Sequence, residues 1–206
     1  VVNLNPVPLL VYQLPEKNST LFNLRCKELA EKLPQDRYLT KNNQDIIGKD
    51  ATVWQHSNAV VPTNSFLMLK DPMIAEFRQL IVEQIMKLNG ILTSYPKWKV
   101  EILNSWIQKY QSGDFHIPHN HLKYAIPNTE AKYWSLAYYV DDGNPDSKKT
   151  YSGVLTFNVN GELWHVKPRP GLMVIWPSHL VHHVNPFFGS GERVMISANF
   201  TTIPSN

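Results

Sequence analysis

Cysteine is nearly absent: Cys26 is the only one among 206 residues. A single thiol excludes an internal disulfide and any zinc ribbon built on cysteines, and it points to a reducing, cytoplasmic compartment. An excess of one charge sign is also missing. Twenty Lys and Arg stand against 17 Asp and Glu, leaving a net charge of +3. No long basic block occurs, so nucleic acid is not indicated as a partner despite a pI near 8.9. No apolar run approaches the roughly 18 residues of a membrane span. Val1 to Leu14 is apolar but broken by Pro6 and Pro8, and it has no basic head. It reads as an initial strand rather than a signal peptide, and as one able to pair across a homodimer. Internal repeats and low-complexity segments are absent.

What is present is enough apolar and aromatic residue, 43% and 11%, to bury a sizeable core. The pattern predicts a short strand over Val7 to Val11. A helix is expected from about Leu21 to Lys32, capped by Ser19 or Thr20 and buried through Leu21, Leu24, Leu29 and Leu33. From Pro34 to Ser65 the chain is polar and irregular, with Trp54 as an anchor. A second helix is expected from about Pro72 to Asn89, with Pro72 in its first turn and Gly90 as its stop. After Pro96 the period changes. Strands are expected over Lys97 to Tyr110, Ile117 to Leu122, Tyr133 to Val140, Gly153 to Val159, Glu162 to Val166, Gly171 to Trp176 and Glu192 to Thr202. Asn160-Gly161 is a hairpin signal between two of them. The fold class is mainly β with flanking helices, a sandwich or barrel with helices packed on it. No domain boundary is evident: 1–206 reads as a single domain, with 1–95 as strand and helical support and 96–206 as the β core.

The chemistry concentrates in Gly113-Asp114-Phe115-His116-Ile117-Pro118-His119-Asn120-His121. His119 and His121 are two apart, so on a strand both imidazoles leave the same face, and convergent imidazoles suit zinc, copper, iron or nickel. His116 has the opposite parity and is expected beside the site or on the surface. A third ligand lies downstream in Ser178-His179-Leu180-Val181-His182-His183, where local sequence does not choose between His182 and His183, and His179, in what reads as a loop, is a further candidate. Further on, Arg193, Met195, Ser197 and Asn199 share one strand face. An arginine on a face that should be core needs a partner, and a guanidinium fork matches a carboxylate.

The order His-x-(Asp or His), a long gap, His, then Arg about ten positions later resembles the iron(II)- and 2-oxoglutarate-dependent oxygenases, most closely the prolyl-hydroxylase-like members. Lys109 to Phe115 resembles their tyrosine–glycine approach strand. Leu136 to Val140 resembles their paired-tyrosine strand, Ser152 to Phe157 their Gly-x-Leu-x-Phe strand, and Pro170 to Trp176 the strand before the distal histidine. His182-His183-Val184-Asn185-Pro186 matches His-x-Val-x-Pro, which selects His182. The resemblance spans about Asn104 to Phe200 and is closest to a phage and marine-bacterial group with His-x-His, hence a phage or bacterial origin. It implies a double-stranded β-helix, a jelly-roll or cupin-like barrel. It further implies Fe(II) on His119, His121 and His182, with 2-oxoglutarate and O2 as co-substrates and ascorbate as an optional reductant. Arg193 would meet the far carboxylate of 2-oxoglutarate, with Tyr110, Tyr139 and Ser197 beside it. The reaction implied is hydroxylation of an unactivated C–H bond with release of succinate and CO2, on a protein or peptide substrate such as a peptidyl prolyl residue. Asn199 and, in the loop Lys123 to Lys132, Tyr124 and Asn128 are the expected substrate contacts. Trp106 and Trp176 are expected in the core.

One departure stands out. The usual triad is two histidines and a carboxylate, whereas His121 is neutral and leaves the ion one unit more positive. Two other classes compete: a cupin-like three-histidine metalloprotein, which would give Arg193 no role, and a non-catalytic binding module that kept the barrel.

Overall fold

The computed structural model describes residues 2–4, 7–32, 35–37, 58–60, 66–92, 97–121 and 131–205. Trp54, Leu33, Tyr124 and Asn128 lie outside the described residues. Twelve strands and two long helices are described. The strands are β1 (Val2–Leu4), β2 (Val7–Gln13), β3 (Gln35–Arg37), β4 (Asn58–Val60), β5 (Trp98–Tyr110), β6 (His116–His119), β7 (Lys132–Asp142), β8 (Leu155–Val159), β9 (Glu162–Val166), β10 (Leu172–Pro177), β11 (His182–Val184) and β12 (Arg193–Pro204). The helices are α1 (Glu16–Lys32) and α2 (Pro72–Leu92), with a 3-10 turn at Phe66–Met68.

The strands form two antiparallel sheets. The larger runs β1-β2-β10-β7-β12-β5-β4-β3 and the smaller β6-β11-β8-β9. Alternation along each strand sends one set of side chains to each face. On the outer face of the large sheet, Leu136, Tyr138, Met173, Ile175, Val194, Ile196 and Phe200 pack with Phe22, Cys26, Phe77, Ile81 and Ile85 of the helices. On the inner face, Ala137, Tyr139, Leu172, Val174, Trp176 and Met195 pack against Leu155, Phe157, Val159 and Val184 of the small sheet. The expected double-stranded β-helix with flanking helices is the architecture observed, and the two long helices lie on one face of the large sheet. β2 is paired on both sides within the chain, by β1 and by β10.

Several expected boundaries move, each for a physical reason. α1 starts at Glu16, directly after Pro15, whose carbonyl accepts the amides of Asn18 and Ser19. Ser19 and Thr20 are therefore inside the helix, donating their hydroxyls back to the Glu16 carbonyl, and not its cap. The buried stripe is Ser19, Phe22, Asn23, Cys26 and Ala30; Leu21 and Leu24 are 62% and 55% exposed. Aromatic packing sets this rotation: Phe22 lies 4.3 Å from Phe77 and 5.5 Å from Tyr138 between ring centroids, and Tyr138 donates to Asn23 Oδ1 at 2.7 Å. α2 continues through Gly90 to Leu92, so Gly90 is no stop. Asp71 caps α2, its Oδ1 accepting the amides of Met73 and Ile74. β6 ends at His119, three residues short of the expected strand. The hairpin forms as its sequence dictates. Asn160 and Gly161 both have positive φ, 53° and 88°, as a two-residue turn between right-twisted strands requires.

Candidate metal centre and carboxylate recess

His119 on β6 pairs directly with His182 on β11, so adjacent strands of the small sheet deliver two imidazoles to one side. His121 lies past the end of β6 and does not arrive by strand alternation. Its amide donates to the Ser178 carbonyl at 2.9 Å, which bends the chain back towards β11. Ring centroids are 4.4 Å apart for His119 and His182, 5.1 Å for His119 and His121, and 5.2 Å for His121 and His182. One nitrogen from each of the three rings lies within 4.8 Å of the others, and this is the only such His, Cys, Asp or Glu group among the described residues. His183 is on the same strand but points the other way, half-exposed.

The ring chemistry suits an ion. His119 Nδ1 lies 2.7 Å from the Ile117 carbonyl and His182 Nδ1 2.9 Å from the Leu180 carbonyl. A carbonyl only accepts, so each Nδ1 carries the proton and each Nε2 keeps a lone pair. Burial first, and the neighbouring His119 and His121 second, hold the His182 pKa well below its ordinary value. The ring is therefore neutral and available as a ligand. Asp114, a carboxylate near these histidines in sequence, uses Oδ2 to accept the Gln111 amide at 2.8 Å and does not join the group.

Arg193 opens β12 and is fully buried. Its guanidinium carbon sits 4.5 Å from the Tyr110 ring centroid and 5.2 Å from that of Tyr139. Nη2 is 3.7 Å from Met195 Sδ. Nε and Nη1 have no acceptor among the described residues, and neither has the Tyr139 hydroxyl. The structural salt bridge that could have explained a buried arginine is thus absent among them. Burial raises the pKa of Tyr110 and of Tyr139 against the pull of Arg193, so both hydroxyls keep their protons; that of Tyr110 donates to Gln108 Oε1 at 3.2 Å, and that of Tyr139 is left to donate. Gly153, at φ 62°, forms one wall of this recess. A Cβ there would stand 3.1 Å from Arg193 Nη1 and 3.3 Å from Phe187 Cδ2.

Strand register lays the inner face out in rows. Arg193 faces Tyr110; Met195 faces Gln108 and Tyr139; Ser197 faces Trp106 and Ala137; Asn199 faces Asn104 and Ser135; and Ser135 faces Trp176. Ser197 donates to Gln108 Oε1 at 3.4 Å. Asn199 donates to Asn104 Oδ1 at 2.7 Å and accepts from Ser135 at 2.8 Å. Trp106 is only half-buried, its ring 6.4 Å from that of His121. Two neighbours were not singled out as binding residues from sequence. Gln108 shares the parity of Tyr110 on β5, which was the available signal. His116 is buried, and its Nδ1 lies 2.6 Å from the Tyr110 hydroxyl. Burial, with help from His119, Arg193 and His121, lowers the His116 pKa to about 3.

Residues 104–199 match the family described as "Putative 2OG-Fe(II) oxygenase". No curated protein matches the chain by sequence. Among solved structures, a prolyl-4-hydroxylase from Pseudomonas putida is similar with a TM-score of 0.62 at 15% identity, covering 96% of this chain and 94% of that one. A prolyl hydroxylase from Trichoplax adhaerens, in complex with a hypoxia-inducible-factor peptide fragment, gives 0.68 at 16% identity, covering 98% and 86%. HygX from Streptomyces hygroscopicus, with nickel and 2-oxoglutarate bound, gives 0.58 at 11% identity, covering 94% and 82%.

Proposed function

From the premise that this chain belongs to the 2OG-Fe(II) oxygenase superfamily and is a 2-oxoglutarate-dependent oxygenase, we propose that it hydroxylates an unactivated C–H bond. His119, His121 and His182 would hold Fe(II). Arg193, Tyr139, Tyr110 and Ser197 would hold the 2-oxoglutarate. When bound, the pair would supply oxidative chemistry with O2, in which 2-oxoglutarate is consumed to succinate and CO2 and one oxygen atom goes to the substrate.

The observation that carries this reading is Arg193. A buried cation lacking a protein counter-charge is strongly disfavoured, and a dicarboxylate reaching in from the histidine group supplies the missing anion. The protonated Tyr139 hydroxyl beside it, without an acceptor among the described residues, adds a donor to the same carboxylate, and the aromatic walls keep water away, which strengthens each contact. The protein's part is to orient the co-substrate, to keep the His182 imidazole neutral and to bring three imidazoles to one point. A cupin-like metalloprotein would leave Arg193 unexplained.

The substrate reading rests on likeness of fold to prolyl hydroxylases, one of them holding a peptide: a peptidyl prolyl residue, contacted from Asn199 and Tyr124. Ascorbate as an accessory reductant, a homodimeric state and a cytoplasmic setting belong to the same proposal. No helix among the described residues is long and apolar enough to cross a membrane. The deciding experiment measures 2-oxoglutarate affinity for wild type and Arg193→Ala with Mn(II) in place of iron. Equal affinities would sink the co-substrate assignment. Release of succinate with Fe(II), O2 and 2-oxoglutarate separates an active oxygenase from a barrel that only binds.

A further inference from the structure

Trp176 ends the inner-face row formed with Ser135, Asn199 and Asn104. Its side chain is 3% exposed, and its ring lies 4.8 Å from His182 at 67° and 5.3 Å from Phe157 at 70°. Its indole Nε1–H has no acceptor among the described residues. Packing alone does not account for an indole here, because a phenyl ring offers a similar apolar surface without a donor to satisfy.

The other unmatched donors in this interior, on Arg193 and Tyr139, cluster beneath the far end of the proposed co-substrate. Trp176 instead stands beside a histidine of the metal group. His182 Nδ1 is taken by the Leu180 carbonyl, so its Nε2 is the nitrogen left for an ion. With its ring 4.8 Å from that of His182, the indole would stand beside whatever group that histidine helps to hold.

We propose that Trp176 is a co-substrate-binding residue, its Nε1–H donating to the metal-bound carboxylate of the keto acid. The inference rests on the functional reading above. It gives the interior a donor for each end of a dicarboxylate: a guanidinium and a phenol at one end, an indole at the other. A hydrogen bond to a charged oxygen is stronger than one to a neutral acceptor, so the contact forms with the keto acid and not with the ion alone.

Trp176→Phe keeps an aromatic ring and removes the donor. With Mn(II) replacing iron, so that no turnover occurs, calorimetric titration should show 2-oxoglutarate binding about tenfold more weakly than to wild type. Affinity for Mn(II) itself should be unchanged. In wild type labelled with ¹⁵N-tryptophan and loaded with Zn(II), the Trp176 indole proton should move downfield when 2-oxoglutarate is added. That resonance is identified as the one missing from Trp176→Phe or, should that variant not fold, from Trp176→Tyr. Equal 2-oxoglutarate affinity in the variant, or an indole resonance that stays in place as the co-substrate binds wild type, overturns the inference. Failure of wild type to bind 2-oxoglutarate at all would overturn the functional reading instead, so the two failures are distinguishable.

Discussion

A guanidinium enclosed by two tyrosine rings and a thioether pulls in opposite directions on stability and on binding. Without a bound anion, Arg193 carries a desolvation cost, its Nε and Nη1 having no acceptor among the described residues. Replacing even a paired buried charge and its partner with apolar side chains is often neutral or gains about 1–4 kcal/mol, and a buried charge with no partner has less attraction to lose. Arg193→Met is therefore expected to melt at or above the wild-type temperature in the absence of ligand. Its thermal shift on adding 2-oxoglutarate should vanish, and affinity should fall by roughly 100-fold or more, the loss of charge-assisted hydrogen bonds. Melting curves with and without 2-oxoglutarate check both halves; a destabilised variant that still shifts with ligand would contradict them. At this scale the sequence was informative. Arg193 stood on a face that should have been apolar, and its burial agrees. Position 121 was less legible. Its convergence comes from a carbonyl on another segment, Ser178, and strand spacing carries no trace of that contact.

Among the elements, α2 depends on a residue that sequence reading passed over. Asp71 accepts two amides at the helix start and also receives Arg25 Nε of α1 at 2.9 Å. Truncating such a cap to alanine costs about 1 kcal/mol, so Asp71→Ala should lower the unfolding free energy by at least that amount in a denaturant titration. Burial alone would raise the Asp71 carboxyl, but the hydrogen bonds from Arg25, Ile74 and Met73 outweigh it and hold the pKa below its ordinary value. A group held lower in the fold than in the unfolded chain stabilises above the unfolded pKa and loses that contribution as pH falls through the folded one. Wild type should therefore lose stability more steeply than Asp71→Asn below about pH 4, which a series of melts from pH 6 to pH 3 would show. The rotation of α1 was hidden for a related reason. Leucines at 21, 24 and 29 make a plausible stripe, and Leu29 does pack against the core, but Leu21 and Leu24 turn outward because the buried face is chosen by Phe22 meeting Phe77 and Tyr138, residues far apart in the chain.

The molecule as a whole places its long helices on one face of the large sheet and its chemistry on the other. Short motifs in the right order made the barrel legible, because each strand's alternation is local. The pairing order β1-β2-β10-β7-β12-β5-β4-β3 was not, since it depends on contacts between distant segments. An ion bound only by the folded form adds RT ln(1 + [M]/Kd), about 2.7 kcal/mol at 100 times Kd. Stripping metal with a chelator should lower the melting temperature of wild type, and adding Mn(II) or Zn(II) should restore it in a concentration-dependent way. His121→Ala should require far higher metal for the same recovery. A variant that recovers at the wild-type concentration would remove position 121 from the ligand set.

One tight turn governs much of this. The Ser178 carbonyl fastens the backbone of His121, and the Leu180 carbonyl orients the ring of His182, so a four-residue span from 178 to 181 steers two of the three imidazoles. Such a span forgives changes of side chain where it faces water, as at Val181, which is 37% exposed. It does not forgive a change of length. One extra residue between His179 and Leu180 would part the Ser178 carbonyl, fixed by its own amide on Tyr133, from the segment that carries Leu180 and His182, so His121 and His182 would no longer meet.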